Sequence, residues 1–465
     1  MNRIFLTLCA AFVAFASHAG GLLANTNQNA TFLRNPARDA AIAIDGVYSN
    51  PAGTAFLPQG IHLSISWQAA FQKRQITTNN PLYMLSGDAD GSKYFEGKAT
   101  APVIPSLQAA YIINDKWSVS AQFAIGGGGG KCKFEQGLPM FEEMVGGKLA
   151  QAQVNSYSLN QTLTGEQYFY GFQVGGTYKI LGKVSVFAGV RGVLANCSYT
   201  GAISNIKAND IDAGTYMNNL AQQASMAAQQ YSALGMTAEA LKYQEIAASA
   251  MQGAYLLGTD LNLDCSQSGF GVTPIIGVDV NLGKVNLAAK YEFRTKINLE
   301  NESNNSANVD AIMPTYANGQ KVRSDIPALF TLGAQYSIIP SVRVAAGFHY
   351  YWDKDAKGTA IKEGNNTWEI TFGTEWDIND KWLVSAGVQR TQYGFKDSDM
   401  SDMNFNISST ALCVGGAYKF NDRMKLNIGY MHSFYEDHKL TSAAGSANLY
   451  TRKNDVLGAS FDIKF

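Results

Sequence analysis

From residue 61 onward the chain alternates apolar and polar side chains with a period of two. Ile61, Leu63, Ile65, Trp67, Ala69 and Phe71 hold one phase, and His62, Ser64, Ser66, Gln68, Ala70 and Gln72 the other. The pattern returns at the C-terminus, where Leu457, Ala459, Phe461, Ile463 and Phe465 alternate with Gly458, Ser460, Asp462 and Lys464. Such alternation marks a strand with two unlike faces. Twelve further segments of this character lie at about 102–113, 116–126, 166–180, 183–198, 266–282, 284–298, 326–338, 341–352, 366–378, 381–393, 408–420 and 423–436. The sum is about fourteen strands, an even number, as a closed single-chain bacterial barrel has.

The connections alternate in length. Tight turns fall at Asn114 and Asp115, Leu181 and Gly182, Gly283, Ile339 and Pro340, Asn379 and Asp380, and Asn421 and Asp422. Between them run long connections at about 75–99, 127–164, 199–264, 299–322, 353–365, 394–407 and 437–450. Short turns on one side and long loops on the other are the asymmetry of an outer-membrane barrel, and this count puts both chain ends on the periplasmic side. A soluble sandwich also alternates, but here aromatics such as Trp67, Trp117, Tyr178, Trp368, Trp376 and Trp382 sit near strand ends, as interfacial girdles do. The fold class expected is all-β, a transmembrane antiparallel barrel of about fourteen strands.

Composition sharpens this. Charged residues are 16% of the chain and the formal net charge is −1, with Gly 45, Tyr 23 and Phe 24. A nucleic-acid binder would show a basic excess. Beyond the N-terminus no apolar run approaches the roughly 20 residues of a spanning helix. Residues 1–19 read as a signal peptide: a basic start at Arg3, an apolar run over 4–16, and small residues at Ser17 and Ala19.

Two stretches do not alternate. Residues 20–60 carry Asn35-Pro36-Ala37 and Asn50-Pro51-Ala52 and are expected to form a plug inside the barrel, the alternative being a periplasmic tail. Within a long insertion at about 207–257, residues 215–234 and 237–256 read as two helices broken at Gly235, with Thr237 capping the second. Met217, Leu220, Met226, Leu234, Met236, Leu241, Ile246, Met251, Leu256 and Leu257 make it an apolar outer loop, either a lid or a landing surface for apolar ligands.

In this order, plug, fourteen strands and helical insertion between strands five and six resemble the FadL/TodX family of outer-membrane transporters. Tyr291-Glu292-Phe293-Arg294-Thr295 is similar to that family's seventh strand, Asp325-Ile326-Pro327-Ala328 to its approach to strand eight, and 117–130 to its third strand. The resemblance implies uptake of long-chain fatty acids or other hydrophobic molecules across a Gram-negative outer membrane. Capture at the outer loops would be followed by binding in the lumen and sideways release beside a kinked third strand. It also implies a monomer set in outer-membrane lipid and inserted by the barrel-assembly machinery. The five glycines at 126–130 show no evident mid-strand kink, but Gly126, Gly127 and Gly128 are the candidates for a lateral gap, since Gly marks bulges.

A fatty-acid pocket needs apolar walls and one or two cations. Strand parity offers Arg191, Lys290, Arg294, Arg343 and Arg390 as inward cations and Phe187 as an inward aromatic, with Phe348 outward; Tyr48 and Ile44 of the plug join them. Cys197 and Cys265 end strand five and begin strand six and are candidates for a disulfide. The mature histidines, His62, His349, His432 and His438, lie in no HExxH motif, and there is no GxSxG. No enzyme, cofactor, metal site or nucleic-acid partner is expected. The alternative functions are a general diffusion porin, or an importer of aromatic hydrocarbons or haem-like ligands.

Overall fold

The computed structural model describes residues 26–358, 361–442 and 445–465. The signal-peptide segment lies outside them. Fourteen antiparallel staves close into a barrel: β1 (Gly60–Asn79), β2 (Ser92–Ile112), β3 (Trp117–Phe134), β4 (Tyr157–Ile180), β5 (Val184–Ala208), β6 (Leu261–Asn281), β7 (Val285–Glu292, resumed at Asn298–Ser303), β8 (Lys321–Arg323, resumed at Leu329–Ile339), β9 (Val342–Tyr351), β10 (Thr367–Asp377), β11 (Trp382–Gln392), β12 (Ser409–Asn421), β13 (Met424–Tyr435, extended by His438–Thr441) and β14 (Ala447–Lys464). β1 pairs with β14 from His62 opposite Lys464 to Asn79 opposite Ala447, so the sheet has no free edge there.

Outward positions are apolar and solvent-facing: Ile65, Phe172, Val174, Phe270, Ile276, Phe372, Val414 and Ile428 are all exposed. A lipid-facing belt explains so much exposed hydrocarbon. Aromatic pairs rim the tight-turn end, with Trp117 and Tyr178 4.7 Å apart and Trp382 and Tyr418 4.6 Å apart. The chain ends meet at that same end, where the Phe465 N–H donates to the Ile61 carbonyl.

Several boundaries differ from the sequence expectation. β1 runs to Asn79, β2 starts at Ser92, β5 continues to Ala208 and β14 starts at Ala447, all inside stretches read as loops. β4 has 24 residues and β5 has 25, against the roughly 9–11 that cross a bilayer. Their far halves stand clear of lipid, where the outward face is no longer forced to be apolar and the period-two signal fades.

Residues 26–57 fill the lumen. Helices α1 (Ala30–Arg34) and α2 (Gly46–Ser49) and a 3-10 turn (Pro51–Phe56) are linked by Asn-Pro turns. Asn35 Oδ1 accepts the Ala37 N–H at 3.1 Å and Asn50 Oδ1 the Gly53 N–H at 3.1 Å. The wall makes room with glycines on seven adjacent staves, β8 to β14: Gly333, Gly347, Gly373, Gly387, Gly415, Gly429 and Gly458. Gly333 lies opposite Gly347, Gly373 opposite Gly387, Gly415 opposite Gly429 and Gly429 opposite Gly458. A Cβ on Gly429 would sit 2.6 Å from the Ala30 carbonyl oxygen, one on Gly415 2.7 Å from Arg34 Cβ, and one on Gly333 2.6 Å from the Ala40 nitrogen. The girdle lets backbone press on backbone.

The structure also carries three helices beyond the wall: α3 (Pro139–Gln151), and the pair α4 (Ala213–Ala233) and α5 (Thr237–Leu257); a short α6 (Ala307–Ile312) follows β7. The girdle is directly testable. Gly415→Val and Gly429→Val should unseat residues 26–57 while the barrel still folds, shown by persistent ion conductance in planar bilayers with normal heat-modifiable gel mobility. Silent membranes from folded variants would show that the segment does not depend on this fit.

Candidate functional site

The lower lumen is held by charge. Glu375 of β10 receives Arg34 Nη1 at 2.7 Å and Arg38 Nη1 at 3.0 Å from the N-terminal segment, and Arg343 Nε of β9 at 3.3 Å. Arg38 also pairs with both oxygens of Asp45 at 2.8 Å, and Arg343 with Asp377 at 2.6 Å. His349 of β9 places Nε2 2.9 Å from Asp39 and Nδ1 2.8 Å from Glu369. Two carboxylates on one imidazole require both ring nitrogens to donate, the arrangement of an imidazolium.

Most of the cations and aromatics expected at a ligand site come together, but on the N-terminal segment. Arg191 bonds Glu292 at 2.6 Å and Gln173 at 2.7 Å; Lys290 bonds Glu292 at 2.7 Å and the Tyr48 carbonyl at 2.8 Å. The Tyr48 ring lies under both, 4.6 Å from Lys290 Nζ and 5.5 Å from the Arg191 guanidinium. Phe187 packs on Ala52 and Ile275. Asn50 bonds Asp279, Thr177 donates to the Pro51 carbonyl at 3.1 Å, and Ser185 to the Ala52 carbonyl at 2.7 Å. These groups anchor the segment to β4–β7, and Arg343 joins the Glu375 cluster.

Two parity assignments fail. β7 is interrupted at 293–297, so Thr295 turns inward while Arg294 stays one-third exposed, tied to the Asp355 carbonyl and 3.8 Å from Asp325. Arg390 lies opposite the outward Ile370 and pairs with Glu436 at the outer face, because the inward phase of β11 is Ser385, Gln389 and Thr391. The disulfide also fails: Cys132, Cys197, Cys265 and Cys413 are all reduced. The register puts Cys197 opposite Gln267 and Cys265 opposite Tyr199, so the two cysteines are not directly paired across the staves.

The upper lumen is apolar. Met140, Phe141 and Met144 of α3, Leu163, Ile203, Leu261 and Leu263 of the long staves, Val309, Ile312 and Met313, and Met403 surround about 580 Å³ of empty space, its open side included. Thr162 supplies the one side-chain hydroxyl among the lining residues. Four methionines suit a wall that adapts to varied apolar shapes. Sequence reasoning passed over α3, although Pro139 at its first turn, followed by Met140, Phe141, Met144 and Leu149, is a helix-start signature. The helical pair contributes less: Met217, Leu256 and Leu257 at its base join the apolar cluster above the lumen, while Met226, Leu234, Met236, Leu241 and Met251 stand exposed on the arm.

The wall has one long break in its ladders. β2 and β3 pair over 97–99 with 132–134 and over 107–112 with 118–123, but not between. β3 shifts register against β4 at 125/127 and again at 127/130, so Gly126, Gly127 and Gly128 sit inside the break. Gly128 has φ +85°, and a Cβ there would be 2.6 Å from the Gln167 carbonyl oxygen. Phe32, Leu33, Ile104 and Ile125 pack together behind it. Gln28 faces the break: its Oε1 accepts the Ile125 N–H at 2.9 Å, its Nε2 donates to the Ile125 carbonyl, and Ser106 donates to its backbone oxygen at 3.1 Å. One side-chain amide replaces the peptide partner that β2 does not supply.

No family model and no curated protein matches the chain. Solved structures do. A Pseudomonas aeruginosa FadL homologue aligns with TM-score 0.63 at 12% identity over 96% of this chain and 100% of that one. The Pseudomonas putida toluene transporter TodX aligns at 0.56 and 13%, over 91% and 94%. The Ralstonia pickettii toluene transporter TbuX aligns at 0.52 and 13%, over 94% and 99%. The chain therefore has the fold of these outer-membrane barrels over nearly its whole described length.

Glu375 gives the sharpest test of the lower lock. Glu375→Gln leaves Arg34, Arg38 and Arg343 sharing a neutral amide, a loss on the order of 3–5 kcal/mol for a buried network. The N-terminal segment should become accessible to limited proteolysis, whereas Arg390→Gln, on the outer face, should leave it protected.

Proposed function

We propose that the protein is an outer-membrane channel for hydrophobic small molecules, working as the FadL- and TodX-type barrels of its fold class do. The observation that carries this reading is the combination of a filled lumen floor with a break in the wall. Residues 26–57 block a straight descent, and the unpaired stretch between β2 and β3 is the place where a molecule can leave sideways without dismantling a ladder. The apolar cavity at the opposite end from the tight turns is the capture site. A hydrophobic solute gains nothing from an aqueous pore, whereas a lateral exit delivers it directly into lipid.

A general diffusion porin is the poorer reading, because its lumen is a water-filled channel and here side chains of the N-terminal segment are bonded to most of the inner wall. Nor do the described residues bring together a nucleophile, base and oxyanion donors on an open cleft. The reading keeps the chain in the Gram-negative outer membrane, with both ends and the tight turns on the periplasmic side and α3–α5 outside. Long-chain fatty acids and aromatic hydrocarbons both fit the cavity walls.

The experiment is saturable binding of dodecanoate and of toluene to the protein in lipid nanodiscs, with liposome swelling in a small sugar as counter-test. Binding of either with little sugar flux is the expected result; rapid sugar flux without hydrophobic binding would mean a porin. The exit has its own prediction. Gln28→Ala removes the amide that pairs with Ile125, and a hydrogen bond of about 1–1.5 kcal/mol corresponds to about tenfold faster hydrogen exchange at that amide. Unchanged exchange at residues 124–128 would detach the N-terminal segment from the state of the break.

A further inference from the structure

In the upper lumen, near the apolar cavity, two arginines meet. Arg74 of β1 and Arg452 of β14 are direct cross-strand partners where the barrel closes, and both are buried. Arg74 lies over the Phe405 ring at 4.3 Å and donates to the Phe405 carbonyl at 3.4 Å. Arg452 lies over the Tyr435 ring at 4.8 Å and donates to Asn406 Oδ1 at 3.1 Å. Each guanidinium sits in the field of the other. Like charges directly opposite one another across a strand pair are unfavourable, and burial raises the cost. A single oxyanion between two guanidinium forks reverses that sign and satisfies both.

The same short segment joins this pair to the cavity. Met403 lines the apolar space, and two and three residues further on Phe405 and Asn406 hold Arg74 and Arg452. At about 3.3 Å per extended residue this separation is about 10 Å, within the reach of an alkyl chain. We propose that Arg74 and Arg452 hold the carboxylate of an amphiphile whose apolar tail occupies the cavity lined by α3, β4–β6 and Met403. The inference rests on reading the barrel as a channel for hydrophobic molecules and names the class it captures: carboxylate-headed amphiphiles in preference to neutral hydrocarbons. The site is distinct from the ion-paired lower lumen, where Arg191, Lys290 and Arg343 are already matched by Glu292, Glu375 and Asp377.

Sequence position hid the pair. Arg74 falls past the last alternating residue of the first strand, and Arg452 before the first of the last, so neither was assigned a face.

The test compares dodecanoate with methyl dodecanoate, the same tail without the charge, by titration into the full chain in nanodiscs. The wild type is expected to bind the acid at least about tenfold more tightly than the ester, as loss of a charge-assisted contact predicts. Arg74→Gln and Arg452→Gln should each erase that preference while ester affinity stays unchanged; Arg74→Lys, which keeps charge but loses the fork, should restore part of it. Equal affinities for acid and ester in the wild type would overturn the head-group site and leave the channel reading standing. A preference that survives both glutamine variants would do the same. Binding of neither ligand would overturn the channel reading itself. The wild-type comparison needs no variant to fold, and heat-modifiable mobility checks those that are made.

Discussion

Everything in this molecule depends on backbone meeting backbone at the glycine girdle. A closed barrel of fourteen staves leaves a lumen that must hold water or be filled, and residues 26–57 fill it only because seven neighbouring staves present no Cβ at the height of α1 and the first Asn-Pro turn. The close fit excludes water, and exclusion of water makes the charged contacts decisive. Buried ion pairs add little net stability against an apolar alternative, but breaking one is expensive. Glu375, Asp45 and Glu369 therefore act less as glue than as addresses, fixing which wall residue each part of the segment meets.

The filled floor determines the rest of the route. With the tight-turn end closed, the molecule offers an apolar mouth and a break between β2 and β3. In a bilayer, strand edges must be satisfied or shielded, and the structure does this with the Gln28 amide from the same segment that closes the floor. Floor and side wall are thus parts of one device: the segment cannot withdraw without removing the partner of Ile125. The high, long staves β2–β6 and helix α3 rise above this device and carry the cavity, which places capture directly over the break.

Legibility in the sequence followed the physics acting on each stretch. Where lipid lies against one face, as at Ile61–Phe71 in β1 or Leu457–Phe465 toward the C-terminus, alternation was plain and the strands could be counted. Above the membrane the same strands continue through Gln75–Asn79 and Ser92–Ala99 with both faces polar or both packed, and they read as loop. Parity assigned Arg191, Lys290 and Arg343 inward because their staves are unbroken at those points; it misplaced Arg294 at an interruption and Arg390 near a rim. Cys197 and Cys265 bracket the same loop, yet a register offset by one cross-strand pair keeps them from facing each other.

The sequence by itself determined the barrel, its stave number, the asymmetry of turns and loops, and the presence of a non-alternating N-terminal segment and a helical insertion, because each is written in local periodicity or local breakers. Tertiary structure alone decided which cations are spent on holding that segment, where the wall opens, that α3 and not the helical pair builds the cavity, and that Arg74 and Arg452 stand together. Those outcomes are set by contacts between residues hundreds of positions apart, across a seam formed only when the first and last strands pair, and no period in the chain encodes the closing of a ring.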